Sequence, residues 1–256
     1  MHAPANELPI ITADILARLR AESPRVHCIT NAVAQGLTAN TLLAVGAMPS
    51  MTIAPEEVGD FVKRAGALLI NLGTFDAGRR AASAIAIDTA NELSLPWVLD
   101  PVFVDRSEPR AAYAKQLVTR APKAMRLNRA EFLALAGIEP EGRALASYAR
   151  EHAIVVGLTG ATDLVADGKR LVAISNGHPL MARVSALGCA ASALVAACLA
   201  VERDVWSATA AGLLLIGVAG EIAAQRARGP GSFAVEILDA LYALDRDALV
   251  AHAKVS

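Results

Sequence analysis

The segment "ALLINLGT" (67–74) decides the fold class of this 256-residue chain. It is a continuous apolar run that becomes polar at Asn71 and ends at Gly73 and Thr74, a pattern typical of a strand buried on both faces. Three later runs share the pattern: "PWVLDPV" (96–102), "AMRLN" (124–128) and "AIVVGLTG" (153–160). Helical segments separate these runs. Such alternation predicts a mainly parallel sheet with helices on both faces.

The rest of the chain fits one three-layer α/β/α domain over residues 1–256. The segment "VHCIT" (26–30) is a further strand candidate, and "DLVADGKRLVAIS" (163–175) predicts an edge hairpin that turns at Asp167 and Gly168. Periodicity and glycine stops predict the helices. They fall at 7–21, 32–47, 56–66, about 75–93, 110–120, 129–136, 143–152, 188–202, 204–227 and 232–244, with a short one at the C-terminus.

Composition excludes several classes of protein. The formal net charge is −1 and no basic stripe carries interleaved aromatics, which argues against nucleic-acid binding. Cys28, Cys189 and Cys198 are too far apart for a disulfide framework or a zinc site. The apolar runs at 186–201 and 207–220 fall short of the ~20 residues of a membrane span. With no signal-like pattern at the N-terminus, we expect a soluble cytoplasmic protein.

Polar residues follow the predicted strands where ligands of open α/β sheets bind. They are Thr30, Asn31, Asn71, Gly73, Thr74, Asp100, Arg126, Asn128, Thr159 and Gly160. Each alone is compatible with a capping or turn role. Because the carboxyl ends of parallel strands share one edge, we expect the set to converge on one crevice.

Two of these positions allow alternative interpretations. Asp100, with Glu131 near the next strand's exit, can hold Mg²⁺ through one or two carboxylates and waters. Alternatively, Asp100 caps the loop before Pro101, and Glu131 occupies a first helical turn, where negative charge is favoured. Arg126 can bind a nucleotide phosphate or be a solvated charge at a strand end.

The segment "SALGCAAS" (185–192) places Cys189 where a long apolar helix begins. A helix N-terminus offers unpaired N–H groups and partial positive charge, which bind phosphate and favour a thiolate. Cys189 can therefore lie beside a phosphoryl group in transfer, or it can be a small buried hydrophobe. We assign the second interpretation to Cys28 and Cys198.

The order and spacing of several motifs resemble one known family. They are "VHCITNAV", "TANTLLAVGAMPSM", "ALLINLGT", "VLDPV", "RLNRAEFLALAG", "LTGATD", "SNGHPLM", "GCAASALVAA" and "GPGSFAVEILDAL". The chain is similar to hydroxyethylthiazole kinase of thiamine salvage, in the ribokinase-like superfamily. The resemblance runs nearly end to end.

This resemblance implies ATP- and Mg²⁺-dependent phosphorylation of the primary hydroxyl of 4-methyl-5-(2-hydroxyethyl)thiazole by a homotrimer with its thiazole site near the subunit interface. It places Cys189 where relatives in the wider superfamily carry an aspartate base, in the anion-hole turn. By motif it assigns Arg126 and Thr159 to the nucleotide, and Asp100 and Glu131 to the metal. It assigns to the thiazole-binding side Asn31, Met51, Gly73, Thr74 and Gly188.

Three departures from the family pattern fall on the phosphate and metal side. Ala186 replaces the first glycine of the turn before the cysteine, "DPVFVDRS" (100–107) replaces a glycine-bearing turn, and Ala161 replaces a glutamate. A Cβ at Ala186 costs about 1–2 kcal/mol if the backbone there is left-handed. These departures leave an alternative open: a divergent paralogue that binds a thiazole-like or other small alcohol with altered, weak or no kinase activity.

Overall fold

The computed structural model describes residues 5–256, and the first four residues of the N-terminal segment lie outside that range. Within it, eight strands form one sheet in the order β2-β1-β3-β4-β5-β6-β7-β8. The strands are β1 (Arg25–Ile29), β2 (Met48–Ser50), β3 (Ala67–Asn71), β4 (Trp97–Asp100), β5 (Ala124–Asn128), β6 (Val155–Thr159), β7 (Asp163–Ala166) and β8 (Leu171–Ile174).

The sheet is parallel from β2 to β6, and β7 and β8 add antiparallel to its edge. The predicted hairpin is therefore confirmed, with Gly168 in the left-handed conformation that its turn requires. A further antiparallel bridge joins Ile174 to Val255 near the C-terminus. The mainly parallel sheet with helices on both faces is the predicted architecture.

The helices agree closely with the predicted segments. They are α1 (Leu8–Glu22), α2 (Gln35–Ala44), α3 (Pro55–Lys63), α4 (Ala77–Glu92), α5 (Glu108–Val118), α6 (Arg129–Ala136), α7 (Gly142–His152), α8 (Leu187–Val201), α9 (Val205–Arg226), α10 (Pro230–Ala243) and α11 (Arg246–His252). The predicted helix 32–47 is shorter than expected, because a 3₁₀ turn occupies 32–34 and β2 begins at Met48.

Two hydrophobic clusters cover the two faces of the sheet. One contains α8 and α9, the other the faces of α4 to α7 that contact the sheet. The expectation that the apolar run at 207–220 is too short for a membrane span is wrong: helix α9 has 22 residues and is long and apolar enough to cross a membrane, but 83% of its apolar window is buried inside the fold. This helix is therefore a core element of the fold.

Candidate active site

The predicted strand-end residues lie along the carboxyl edge of the parallel strands. Asn31 follows β1, Gly73 and Thr74 follow β3, and Asp100 is the last residue of β4. Arg126 lies on β5 and Thr159 ends β6. Helix α8 packs against β1, β3 and β4 and begins at this edge. The structure therefore brings the predicted strand-end positions together along one edge of the sheet.

A hydrogen-bonded group joins the ends of β1 and β3. The Thr74 hydroxyl donates to Asn31 Oδ1 at 3.1 Å and accepts from the Ala32 amide at 2.9 Å. Gly73 is needed for this approach, because a Cβ there would lie 2.5 Å from the Asn31 side chain. Three of the residues predicted for substrate binding thus form one compact unit.

The fourth, Met51, follows the edge strand β2, and a histidine that the sequence did not single out is hydrogen-bonded to both residues that flank it. The buried His27 ring has Nδ1 2.8 Å from the Ser50 hydroxyl and Nε2 3.1 Å from the Thr52 carbonyl. Since a carbonyl only accepts, Nε2 carries the proton and Nδ1 accepts from Ser50. Burial lowers the pKa of His27 to about 4, so the ring is neutral at physiological pH.

Asp100 is fully buried at the centre of the edge. Its Oδ2 accepts hydrogen bonds from Asn71 Nδ2 at 2.8 Å and from the Ser192 hydroxyl at 2.7 Å. Its Oδ1 is buried without a partner among the described residues. Burial raises the pKa of Asp100 to about 7; the positive charge of Arg126 opposes this shift and the negative charge of Glu131 adds to it. Asp100 is thus bound to side chains and does not cap a loop.

Glu131 has the capping role that its helical position suggests. It forms a capping box with Asn128 at the start of α6, in which Oε2 accepts from the Asn128 amide at 2.9 Å. Its Oε1 accepts from the Phe103 amide, also at 2.9 Å. Both carboxylate oxygens are therefore engaged by backbone N–H groups. Glu131 lies in the first turn of α6, as its alternative interpretation predicted, and it also caps that helix.

The turn before α8 brings Arg126 against the start of the helix. A Cβ on Gly188 would lie 2.8 Å from Arg126 Nη1, so the guanidinium packs directly on the Gly188 backbone. Arg126 Nε is buried without a partner among the described residues. Ala186, at the helix cap, has φ = 72° and ψ = 0°, the left-handed conformation in which a Cβ is unfavourable.

The expectation that the helix N-terminus favours a Cys189 thiolate is wrong. The side chain is only 7% exposed. Burial, and to a smaller extent the neighbouring Asp100 carboxylate, raise the pKa of Cys189 to about 12, while Asn71 and Arg126 oppose the shift. Loss of hydration outweighs the partial charge of the helix, so the thiol stays protonated at neutral pH.

A cleft of about 630 Å³ opens beside Arg126 and the first turn of α8. Its lining includes Thr159, Gly160, Ala161, Asp163, Asn176, Gly177, Leu187, Gly188, Ala191, Leu213 and Ile216. Asp163, which the sequence did not single out, accepts from the Gly160 amide at 2.9 Å. Burial raises its pKa to about 6, opposed by that hydrogen bond and by Arg126. The cleft therefore combines an apolar wall with a few polar groups, as small-molecule sites do.

Comparison with known proteins identifies the family. Residues 16–247 match the model of the hydroxyethylthiazole kinase family. The chain belongs to this family. It is 47% identical over 247 residues to a hydroxyethylthiazole kinase of Granulibacter bethesdensis, covering 91% of this chain and 90% of that relative.

Solved structures agree with the family assignment. The structure of a hydroxyethylthiazole kinase protein from Pyrococcus horikoshii OT3 matches with a TM-score of 0.92 and 38% identity, over 96% of this chain and 98% of that one. A ribokinase-like superfamily protein from Enterococcus faecalis matches with a TM-score of 0.68 at 14% identity, over 90% and 93% of the two chains. The second likeness confirms the ribokinase-like fold.

Two of the positions that depart from the hydroxyethylthiazole kinase pattern have a left-handed backbone, the conformation that favours glycine. Ala186 is left-handed, and so is Phe103, with φ = 61°. Phe103 is 45% exposed and its ring lies under the Arg106 guanidinium, 5.1 Å from the guanidinium carbon to the ring centroid. The third departure, Ala161, lines the cleft. Ala186 and Phe103 thus both have a left-handed backbone, a conformation that glycine adopts more readily.

Proposed function

We propose that this protein transfers the γ-phosphoryl group of ATP to the primary hydroxyl of 4-methyl-5-(2-hydroxyethyl)thiazole, a step of thiamine salvage. One observation carries the proposal. The start of α8 contacts both halves of the site: Gly188 packs on Arg126 beside the cleft, and Cys189 lies against Asn71, whose Oδ1 accepts from Gly73 next to the Asn31–Thr74 group. An acceptor and a phosphate donor can therefore meet at a helix N-terminus, which suits negative charge.

The acceptor binds, in this proposal, beside Asn31, Met51, Gly73, Thr74 and Gly188. Gly73 packs against the Asn31 side chain and Gly188 against the Arg126 guanidinium, so both glycines hold neighbouring side chains of the proposed site in place. The thiazole is small and mostly apolar, and the hydroxyl and amide groups at the strand ends can orient its alcohol. A homotrimer with this site near the subunit interface also stays a prediction, as do a cytoplasmic location and a single domain over 1–256.

The nucleotide binds in the cleft. Arg126 pairs with its phosphates, because the guanidinium lies against the first turn of α8 and its Nε has no partner among the described residues. Thr159 lines the same cleft, and its hydroxyl donates weakly to the Leu127 carbonyl at 3.3 Å. The apolar wall formed by Leu187, Leu213 and Ile216 suits a planar base.

Of the two residues assigned to Mg²⁺, Asp100 fits a direct contact with the ion, and Glu131 fits one less well. Asp100 Oδ1 is a buried carboxylate oxygen without a partner among residues 5–256, the group that a hard cation would satisfy. Glu131 already accepts two backbone N–H bonds, so it would act through the remaining lone pairs of its oxygens or through water. Bound Mg²⁺ would neutralise charge on the transferring phosphoryl group.

Cys189 acts at the acceptor as a neutral thiol. Phosphoryl transfer depends mainly on positioning and electrostatic stabilisation, with little need for a strong base. The buried thiol lies beside Asn71 and Asp100, and the α8 amides would stabilise the charge that develops on the phosphoryl oxygens. We therefore assign Cys189 a catalytic contact with a smaller effect than a general base has.

An ATP-consumption assay with the thiazole alcohol, run beside a thermal-shift titration of the same compound, tests the proposal. Stabilisation by the alcohol together with alcohol-dependent ADP formation supports the kinase. Stabilisation without turnover supports the divergent paralogue.

A further inference from the structure

Arg110, in the first turn of α5, contacts the backbone of two active-site loops through a single nitrogen. Its Nη1 lies 2.6 Å from the Leu72 carbonyl oxygen and 3.2 Å from that of Gly73, both in the loop after β3. The same atom lies 2.9 Å from the Val102 carbonyl oxygen, in the loop after β4. Since all three oxygens only accept, Nη1 donates to both loops at once.

The position is unfavourable for a cation. The start of a helix carries partial positive charge, which repels a guanidinium. Burial lowers the pKa of Arg110, and none of the ion pairs in residues 5–256 includes it. Its Nε is also buried without a partner in that range. The contacts that offset these terms are the three carbonyls and the ring of Phe75, 5.4 Å from the guanidinium carbon.

The two loops belong to different halves of the proposed site. The loop after β3 carries Gly73, which packs on Asn31 on the acceptor side. The loop after β4 follows Asp100 and continues to Phe103, whose amide donates to Glu131 on the metal side. The position of Arg110 thus couples the acceptor-side loop to the loop that directly follows Asp100.

We propose that Arg110 is a positioning residue for phosphoryl transfer, which fixes the separation of these two loops. The proposal rests on the proposed function for its catalytic consequence. A displacement of about 1 Å between reacting groups can lower a rate by about 10²-fold. A residue that holds two loops from outside the reacting atoms can therefore control turnover without touching either substrate.

Steady-state kinetics of R110Q, R110K and the control R120Q test the catalytic consequence. We expect R110Q to lower kcat by about 10- to 100-fold and to raise the KM of the thiazole alcohol several-fold, with the KM of ATP changed less than about twofold. R110K keeps the charge and three donors and should recover part of the loss. Arg120 follows the same helix and pairs with Asp88 on the surface, so R120Q should behave as wild type. A folded R110Q with wild-type constants overturns the proposal, as does a change confined to its melting temperature.

Hydrogen exchange of the free protein tests the coupling without any activity. The amides of Gly73 and Phe103 donate at 2.9 Å to Asn71 Oδ1 and Glu131 Oε1, so both should exchange slowly in the wild type. We expect R110Q to speed exchange in 72–74 and 102–104 together and R110K to do so less, while R120Q leaves both unchanged. If R110Q does not fold, R110K carries the test. Unchanged exchange in both segments shows that Arg110 does not hold the loops, even if the wild type phosphorylates no alcohol.

Discussion

Asp100 and Asn71 share a buried hydrogen bond of 2.8 Å at the carboxyl ends of two neighbouring strands. The same Asn71 side chain accepts from the Gly73 amide at 2.9 Å through Oδ1. The side-chain amide of Asn71 therefore links the carboxylate of Asp100, on the proposed metal side, to the loop on the acceptor side. Within residues 5–256, Asp100 Oδ1 has no hydrogen-bond partner, while Oδ2 accepts from both Asn71 and Ser192.

D100N separates a metal role from a structural one. Asparagine keeps an oxygen that accepts from Asn71 and Ser192, but it removes the charge that would hold Mg²⁺. We expect D100N to lose most of the Mg·ATP-dependent rise in melting temperature while binding the thiazole alcohol nearly as the wild type does. Thermal-shift titrations with each ligand measure both effects, and an equal loss of the two would indicate a purely structural role.

C189A should lower kcat by about tenfold, less than the ~10²–10⁴-fold of a general base, because the thiol is held neutral. C198A is the matched control: it removes a buried sulfur from the same helix, away from the site. We expect C198A to lower stability with kcat unchanged. A wild-type kcat in C189A, with a loss of stability like that of C198A, would make Cys189 a core residue only.

C189D tests the aspartate that relatives in the wider superfamily carry. The new carboxylate would lie near Asp100, whose charge already disfavours ionisation of Cys189. We expect C189D to melt at a lower temperature than the wild type without ligand and to regain part of the difference with Mg·ATP, since a cation would relieve the repulsion. Full wild-type stability without ligand would contradict this electrostatic picture.

A186G should relieve backbone strain in the anion-hole turn. Removing a Cβ from a left-handed residue gains about 1–2 kcal/mol, of which the greater entropy of unfolded glycine offsets about 0.4–1 kcal/mol. We therefore expect a net gain of up to about 1.6 kcal/mol in the free energy of unfolding, and a higher kcat if the Cβ restricts the phosphate. Denaturant melts and kinetics measure the two effects.

A153G provides the control for A186G. Ala153 is also left-handed, with φ = 53°, but it ends α7 at the opposite edge of the sheet. A153G should therefore gain similar stability with unchanged kcat. If A186G and A153G change kcat alike, the turn before Cys189 does not limit catalysis.

His27 predicts a pH dependence of stability. Its pKa is about 4 in the folded protein against an ordinary value of 6.5, so the unfolded chain binds a proton first as the pH falls. The wild type should lose about 3 kcal/mol of stability between about pH 6.5 and 4 from this group, and none above about pH 7. H27Q has no imidazole to titrate. Its free energy of unfolding, measured by denaturant melts, should therefore fall less steeply than that of the wild type over the same pH range. Parallel curves for the two proteins would rule out this contribution.

The sequence predicted elements with strong local signals well, and its misses have physical causes. Strand β5 has the predicted bounds, because a short apolar run meets a capping box at Asn128. The run at 96–102 overshoots β4 because Pro101 has no N–H for the ladder. Strand β2 was missed because three partly exposed residues carry no apolar pattern.

The same distinction applies to the site: residues with a local sequence signal were predictable, and contacts between distant segments were not. Its strand-end residues were predictable because parallel strands bring their carboxyl ends to one edge. The protonated Cys189 thiol was not, since it depends on burial and on Asp100 from another element. Ser192 lies one helical turn after Gly188. That spacing is a sequence signal from which its position beside Asp100 could have been predicted. The contacts of Arg110 with Leu72 and of His27 with Thr52 join distant segments and leave no local signal.

Phosphorus NMR of a reaction mixture of the wild-type protein, Mg·ATP and 4-methyl-5-(2-hydroxyethyl)thiazole tests the central claim most directly. The account predicts that a phosphate monoester signal of the thiazole alcohol grows in step with ADP, and that neither forms when the alcohol is left out. ADP that accumulates with inorganic phosphate and no ester, or ATP that persists while the alcohol binds, would contradict it.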